Sequence, residues 1–397
     1  MLQSLDIALV SYEFPPFGGG EGTYTYELAK LLTASGHRVT LVIPAREHVL
    51  GKEIAENIFQ VKHTKISGFR LVSFAMGATR VLKGLSRKGE IDLVHYTNDY
   101  GFVSSSRQIG VPVLSTIHHP HWVEAQAVSR DLDAGPLRLL RYKLTQYFLD
   151  KLEHRTLVKA DRIIAVSNFS AKTASARHRI PFQKFRVVPN SVDINRFNPH
   201  VNGSNLRKVL GIGDSRMILY VGSTRIHKGL PFLMEAFGSV ASIIPDVRMI
   251  VVGKVSEAEK QRLLLGLSGH AAGRVIFPGW LNDAMMPEAY AAADIVVLPS
   301  LMEGFGRALI EAMATGKACV ASKVGPLPEV VMDGVTGSLV PPADSVALSS
   351  ALTKLLLDGR QLMKFGMAGR ERAERDFATD MISGRLTAAY QELLDAQ

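Results

Sequence analysis

A single cysteine, Cys319, stands in a chain of 397 residues, so no disulfide can form within it, which suits a reducing cytoplasm. Its flanks, GKACVAS, read as a buried strand, where cysteine behaves as a small hydrophobe. Long apolar runs are missing too, and none approaches the roughly 18 residues needed to span a bilayer. The opening stretch MLQSLDIALVSYEFPP has no basic n-region and reads as a first strand rather than a signal peptide, so the expected location is cytoplasmic. Zinc-finger, RNP and basic-zipper patterns are absent, which argues against a nucleic-acid partner. Neither a short repeat nor a low-complexity segment is visible.

Two scarcities bear on cofactors. Histidines cluster only in STIHHPHW, at His118, His119 and His121, without a companion His-x-x-x-His pair or carboxylate cluster, so no metal is expected. The first glycine run is Gly18, Gly19, Gly20 and then Gly22, which is not Gly-x-Gly-x-x-Gly in the dinucleotide register, so a nicotinamide cofactor is not expected either.

What is present is a soluble globular composition, 47% hydrophobic and 21% charged, at a length that suits two domains. The net charge of +9 asks for an anionic partner, and nucleic acid, anionic lipid or a phosphorylated substrate would each serve. Cations crowd RLLRYKLTQYFLDKLEHRTLVKADR (138–162), where Leu139, Leu140, Leu144, Tyr147, Phe148 and Leu152 recur at helical spacing. Two readings stay open here: an amphipathic helix resting on a negative membrane surface, or an ordinary surface helix with a solvated basic face.

Apolar strand-like runs alternate with amphipathic helix-like ones along the chain. DIALVSY, a glycine loop and TYTYELAKLLTAS come first. HRVTLVIP, IDLVHY, VPVLSTIHH, DRIIAVS and FRVVPNSV follow. Such alternation predicts a parallel, doubly wound sheet. The pattern breaks at 193–215, rich in Asn, Gly and Pro, and restarts at RMILYVGS. Two Rossmann-like α/β domains facing a central cleft are expected, with ligands beyond the carboxyl ends of the strands.

Four segments carry chemistry. In VVLPSLMEGFGRALIEAMATGK a strand leads through Gly304 and Gly306 into a helix, with Glu303 and Glu311 bracketing the turn. Amides at a helix start attract anions, glycine lets a ligand approach the backbone, and carboxylates accept from paired hydroxyls. A nucleotide sugar gripped at both ends fits, and so does a loop acid followed by an exposed helical acid. In LYVGSTRIHKGLPFLMEAF a short loop carries Arg225, His227 and Lys228, whose two cations suit a diphosphate clamp or are simply solvated, as loop cations usually are. EFPPFGGGEGTYTYELA places its glycines between the first strand and first helix, as phosphate loops do and as a flexible turn also would. His118 ends a strand, where a histidine can donate a hydrogen bond to a substrate or serve the fold.

Together these segments resemble the retaining glycosyltransferases of family 4, which have the two-domain GT-B fold. The resemblance covers nearly the whole chain in the family's order. PPFGGGEGTYTYELAKLLTASGHRV is similar to its N-terminal glycine loop and helix, VVPNSVDINRF to its PNGVD segment, and VGSTRIHKG to its phosphate loop. PSLMEGFGRALIEAMATGKACVASKVGPLPEVV is similar to its donor block with two glutamates. The resemblance implies that Glu303 binds hydroxyls of the transferred sugar with the amides of Gly304, Phe305 and Gly306, and that Glu311 binds the ribose. It further implies that Lys228 and a nearby arginine hold the diphosphate, that Gly19 and Gly20 complete the phosphate pocket, and that His118 lies near the reacting sugar carbon. Ser223 stands where the family commonly has arginine, leaving Arg225 to supply that charge, and Ser191 replaces the glycine of PNGVD.

The implied layout is an acceptor-side domain over 1–199, a nucleotide-sugar domain over 200–376, and a closing helix over 377–397 packing back toward the first. The implied activity is metal-free transfer of a hexose from a UDP- or GDP-sugar, a donor substrate rather than a cofactor, to a sugar or lipid-linked acceptor hydroxyl. A nucleotide-sugar epimerase of similar architecture, or a binding subunit without turnover, remains open. The donor base would be read by backbone around Gly279–Leu281 and Gly325.

Overall fold

The computed structural model describes residues 4–14, 20–45, 54–64, 70–98, 104–123 and 136–396. They form two compact units, one running to Asn190 and resuming at Ile382, the other covering Ser191–Met381.

The first unit is a seven-stranded parallel sheet built from β1 (Asp6–Val10), β2 (Arg38–Pro44), β3 (Asn57–Val61), β4 (Leu93–Tyr96), β5 (Val113–Ile117), β6 (Arg162–Ala165) and β7 (Phe185–Val187). Its order is β3-β2-β1-β4-β5-β6-β7, so the winding direction reverses between β1 and β4. Every residue of β4 and β5 is buried, as expected of parallel strands covered on both faces. Alternation along β1 and β2 divides the core. Ile7, Leu9, Leu41 and Ile43 face the helix Gly20–Ala34, while Ala8, Val10 and Val42 face the helix Arg70–Lys88 through Phe74, Ala78 and Leu82.

The first of these cores is closed by the end of the chain. Ile382, Leu386, Ala389, Tyr390 and Leu393 of the helix Thr379–Leu394 pack into it. Polar contacts fix that helix: Tyr390 Oη lies 2.7 Å from His95 Nδ1, Ser383 Oγ lies 2.6 Å from Ser35 Oγ, and Arg186 pairs with Glu392 at 2.7 Å.

The second unit repeats the plan with six parallel strands: β8 (Arg216–Val221), β9 (Val247–Val252), β10 (Val275–Gly279), β11 (Ile295–Leu298), β12 (Ala318–Ser322) and β13 (Gly337–Val340). Their order is β10-β9-β8-β11-β12-β13, and the reversal lies between β8 and β11. Leu233, Phe237 and Val240 of the helix Leu230–Ile243 meet Leu348 and Leu352 of the helix Ser345–Leu357 over this sheet. Cys319 lies fully buried in β12, and burial pushes its thiol up to about 12.

Two Rossmann-like parallel-sheet units are therefore present, the α/β class expected from the alternating pattern. The Asn-, Gly- and Pro-rich stretch after residue 193 differs from a bare break, because it contains the helix Ser204–Val209. Gly203 sits so close to the helix Met286–Ala292 that a Cβ there would lie 2.2 Å from the Ala292 nitrogen. Arg207 locks the segment further by bonding Asp294 at 3.0 Å and the Ala292 carbonyl at 2.9 Å.

Leu386 is fully enclosed, so Leu386→Ala removes a wedge between the last helix and the first sheet. A loss of about 2–5 kcal/mol is expected in chemical denaturation followed on the first unit. An unchanged midpoint would show that the last helix is not part of that core.

Candidate active site

In a doubly wound sheet the loops that leave the two strands at the reversal diverge, opening space beyond their carboxyl ends. In the second unit those strands are β8 and β11, and the loops after them hold Arg225, Lys228 and Glu303.

The β8 loop is built to sit on the β11 loop. Ile226–Lys228 form one 3-10 turn, in which the Lys228 amide donates to the Arg225 carbonyl at 2.8 Å. The His227 carbonyl, buried in the same turn, accepts from the Leu301 amide at 2.7 Å and the Met302 amide at 3.3 Å. Gly229 follows with φ +73°, and a Cβ there would fall 1.8 Å from the Pro299 carbonyl oxygen, so only glycine permits this approach.

That docking brings Lys228 to Glu303. Lys228 Nζ donates to both carboxylate oxygens, at 3.0 and 2.9 Å. The Ser300 hydroxyl donates to Oε2 at 3.0 Å and the Gly304 amide to Oε1 at 3.2 Å. Burial works to raise the Glu303 carboxyl, but the Lys228 charge and these hydrogen bonds outweigh it and hold it below its ordinary value. Glu303 is thus an ionised acid in a site only 12% exposed.

Beyond it the chain turns through Phe305 and Gly306 into the helix Arg307–Ala314. Phe305 is buried, with its ring edge-on to Phe377 at 5.9 Å, so its side chain braces the loop while its amide stays with the helix start. Gly306 takes φ +95° as the N-cap, its carbonyl accepts from the Leu309 amide at 2.9 Å, and no side chain caps the helix, so its start favours negative charge.

Glu311, one turn on, has a different environment. It accepts from the Tyr290 hydroxyl at 2.7 Å and lies 3.6 Å from the Arg307 guanidinium. Burial raises its carboxyl more than Arg307, Tyr290 and Arg196 lower it, so it sits above its ordinary value. Arg225 is exposed and forms no ion pair among the described residues.

The other expected residues belong to the first unit. Gly18 and Gly19 lie outside the described residues, and Gly20 begins the helix Gly20–Ala34. His118 follows β5 and is buried, its Nε2 2.9 Å from the Thr97 carbonyl and its ring edge-on to Tyr24 at 4.6 Å. A carbonyl only accepts, so Nε2 carries the proton and is committed within the fold. His95, beneath it, is pushed down to about 3 by burial and by the His118 charge, and links Tyr390 to Thr116 as a neutral ring. His121 is placed differently, with its amide donating to Glu153 at 2.8 Å.

Sequence reading assigned no role to Ser300, Tyr290 or the His227 carbonyl. Ser300 stood within the quoted donor block, but Tyr290 is 21 residues from Glu311 and had no local signal.

Comparison with known proteins follows the same lines. A sucrose-phosphate synthase structure from Thermosynechococcus elongatus superposes with a TM-score of 0.78, at 25% identity over 98% of this chain and 99% of that one. Anabaena HepE in complex with UDP-glucose superposes with a TM-score of 0.76, at 22% identity over 98% and 100%. The class defined by fold and site is a GT-B glycosyltransferase. Residues 18–196 match the model for glycosyltransferase family 4 and residues 203–372 that for glycosyl transferases group 1. The two matches take in most of the chain, which belongs to the family 4, group 1 glycosyltransferases. It is also 28% identical to the MMP alpha-(1->4)-mannosyltransferase of Mycolicibacterium hassiacum, over 98% of each chain.

The two glutamates should respond oppositely to neutralisation. Glu303 has a depressed folded-state value, so its stabilisation is full above the unfolded value of about 4.3 and is lost as pH falls through the folded one. Glu311 has a raised one, so its contribution is full below about 4.3 and declines as pH rises through the folded value. Near neutral pH, Glu303→Gln should lower the melting temperature of the ligand-free protein, and Glu311→Gln should raise it. Melts between acid and neutral pH check this, and shifts of the same sign would contradict it.

Proposed function

We propose that the chain transfers a hexose from a nucleoside-diphosphate sugar, with UDP or GDP as carrier, to an acceptor hydroxyl with retention of anomeric configuration. The observation that carries this reading is the Lys228–Glu303 ion pair, set between Ser300 and an uncapped helix start at the sheet reversal. Each charge finds its counterpart in such a donor. The phosphates take the Lys228 ammonium and the helix amides, and the sugar hydroxyls take the Glu303 carboxylate. The donor thereby replaces the internal pair with contacts of the same kind. Glu311, partnered by Tyr290, receives the ribose hydroxyls. Arg225 is an exposed cation in the same loop and supports the diphosphate. HepE in complex with UDP-glucose and the mannosyltransferase relative lend support from the chain's own family and fold.

In the proposed reaction the bond from the anomeric carbon to the diphosphate oxygen breaks as charge builds on the phosphates. The acceptor oxygen adds on the same face, and its proton passes to the departing phosphate oxygen. Lys228, Arg225 and the helix amides stabilise that charge, so no protein nucleophile and no metal ion is called on. Glu303 holds the sugar and is not a general base. In the first unit Gly19 and Gly20 lend backbone to the phosphates, and His118 lies near the transferred sugar. The acceptor belongs to glycolipid, polysaccharide or other glycoconjugate synthesis.

Thermal-shift screening against UDP-, GDP- and ADP-sugars identifies the donor, because a bound ligand raises stability by mass action. With that donor, Lys228→Ala and Glu303→Ala should each reduce transfer on the order of a hundredfold or more, as loss of a preorganised charge contact does. Turnover should persist in EDTA, and the product should show the donor's anomeric configuration by NMR. Near-wild-type turnover in both variants would remove the site assignment. An epimerised donor formed without acceptor would replace transfer with epimerisation.

A further inference from the structure

A helix in a globular unit buries its apolar stripe. In the helix Pro136–Lys159 the enclosed side chains, Leu152, Thr156 and Leu157, lie toward its end. Ahead of these residues four large apolar side chains point to solvent instead. Leu140, Leu144, Tyr147 and Phe148 are 54%, 61%, 65% and 56% exposed. At 3.6 residues per turn these four fall within an arc of about 100°. Lys151 and Arg155 continue the same arc, and Arg141 and Lys143 border it.

The acids of the described helix face elsewhere. Asp150 is bonded to Arg177 at 3.0 Å, and Glu153 is buried against His178 and the His121 amide. The exposed arc therefore carries apolar groups and cations and no carboxylate. Arg141, Lys143, Lys151, Arg155 and Lys159 are all exposed, and none forms an ion pair among the described residues.

We propose that this face of the helix docks the first unit onto an anionic lipid surface. The four apolar side chains enter the boundary between headgroups and acyl chains while the cations meet lipid phosphates, the arrangement of an interfacial amphipathic helix. Charge complementarity favours this occupant over a second copy of the chain. Two-fold pairing would set the same unpaired lysines and arginines against themselves, a costly juxtaposition. The attachment is to a surface, since no described helix is long and apolar enough to cross a membrane. The proposal involves a different unit from the Lys228–Glu303 loops and stands whether or not the donor reading holds.

The test is flotation of the full chain with vesicles of phosphatidylcholine alone and of phosphatidylcholine with phosphatidylglycerol in equal parts. The wild type should float with the mixed vesicles, weakly with the neutral ones, and lose the difference in high salt. Lys151→Ala with Arg155→Ala should weaken binding roughly fivefold per cation. Leu144→Ala with Phe148→Ala should weaken it on both vesicle types, and all four side chains are exposed enough for the melting temperature to stay put. Equal binding to both vesicle compositions overturns the proposal, as does binding indifferent to both double variants. Sedimentation velocity supplies the remaining arm: a dimer that the same substitutions dissociate, without vesicle binding, would assign the face to self-association instead.

Discussion

The second unit's site depends on one backbone contact: the His227 carbonyl accepting from the amides of Leu301 and Met302 while Gly229 presses on Pro299. Through it a turn after β8 is carried onto the loop after β11, and two residues 75 positions apart become an ion pair. A buried carbonyl without these partners would be costly, so the contact is strongly determined. A side chain at Gly229 has no place to go. The chemistry of Lys228 and Glu303 is thus a product of loop docking rather than of either residue alone.

Around that contact the two glutamates show how burial alone decides little. Both are largely enclosed, yet Glu303 is held below its ordinary value and Glu311 above it. The difference is the quality of the partners. Glu303 has an ammonium at hydrogen-bond distance from both oxygens, a hydroxyl and an amide, whereas Glu311 has a neutral phenol and a guanidinium at 3.6 Å. An acid with a strong internal partner keeps its charge in a dry site. One without such a partner gains most from a ligand that supplies hydroxyl donors.

Much of this was legible in the chain itself, where the signal was local. Strand–helix alternation yielded both parallel sheets, and the glycines before Arg307 marked a helix start that no side chain caps. Contacts distant in sequence were not legible. Nothing near Tyr290 announces Glu311, and nothing near Lys228 announces a carboxylate as its partner. The helix Pro136–Lys159 shows a further limit. Periodicity reports that Leu140, Leu144 and Phe148 share a stripe, but the same spacing serves a stripe facing inward or outward. Only burial separates the two, and here the stripe faces outward. His118 carries a similar lesson, since a strand-end histidine gives no sign that Nε2 is already bonded to Thr97.

The helix Thr379–Leu394 supplies a wall of the core that begins with Leu5, Ile7 and Leu9. On the ribosome those strands emerge before the second unit, but these packing partners emerge only after it. The described residues of the second unit, Ser191–Met381, lie between these two parts of the chain, and every strand of its sheet is available before the helix is made. Synthesis therefore completes the later unit before the earlier one. For that interval the core over Ile7, Leu9 and Leu41 has the helix Gly20–Ala34 but lacks the wall that Ile382, Leu386 and Tyr390 supply, and a nascent chain stalled before Ile382 presents that gap to chaperones or to other chains.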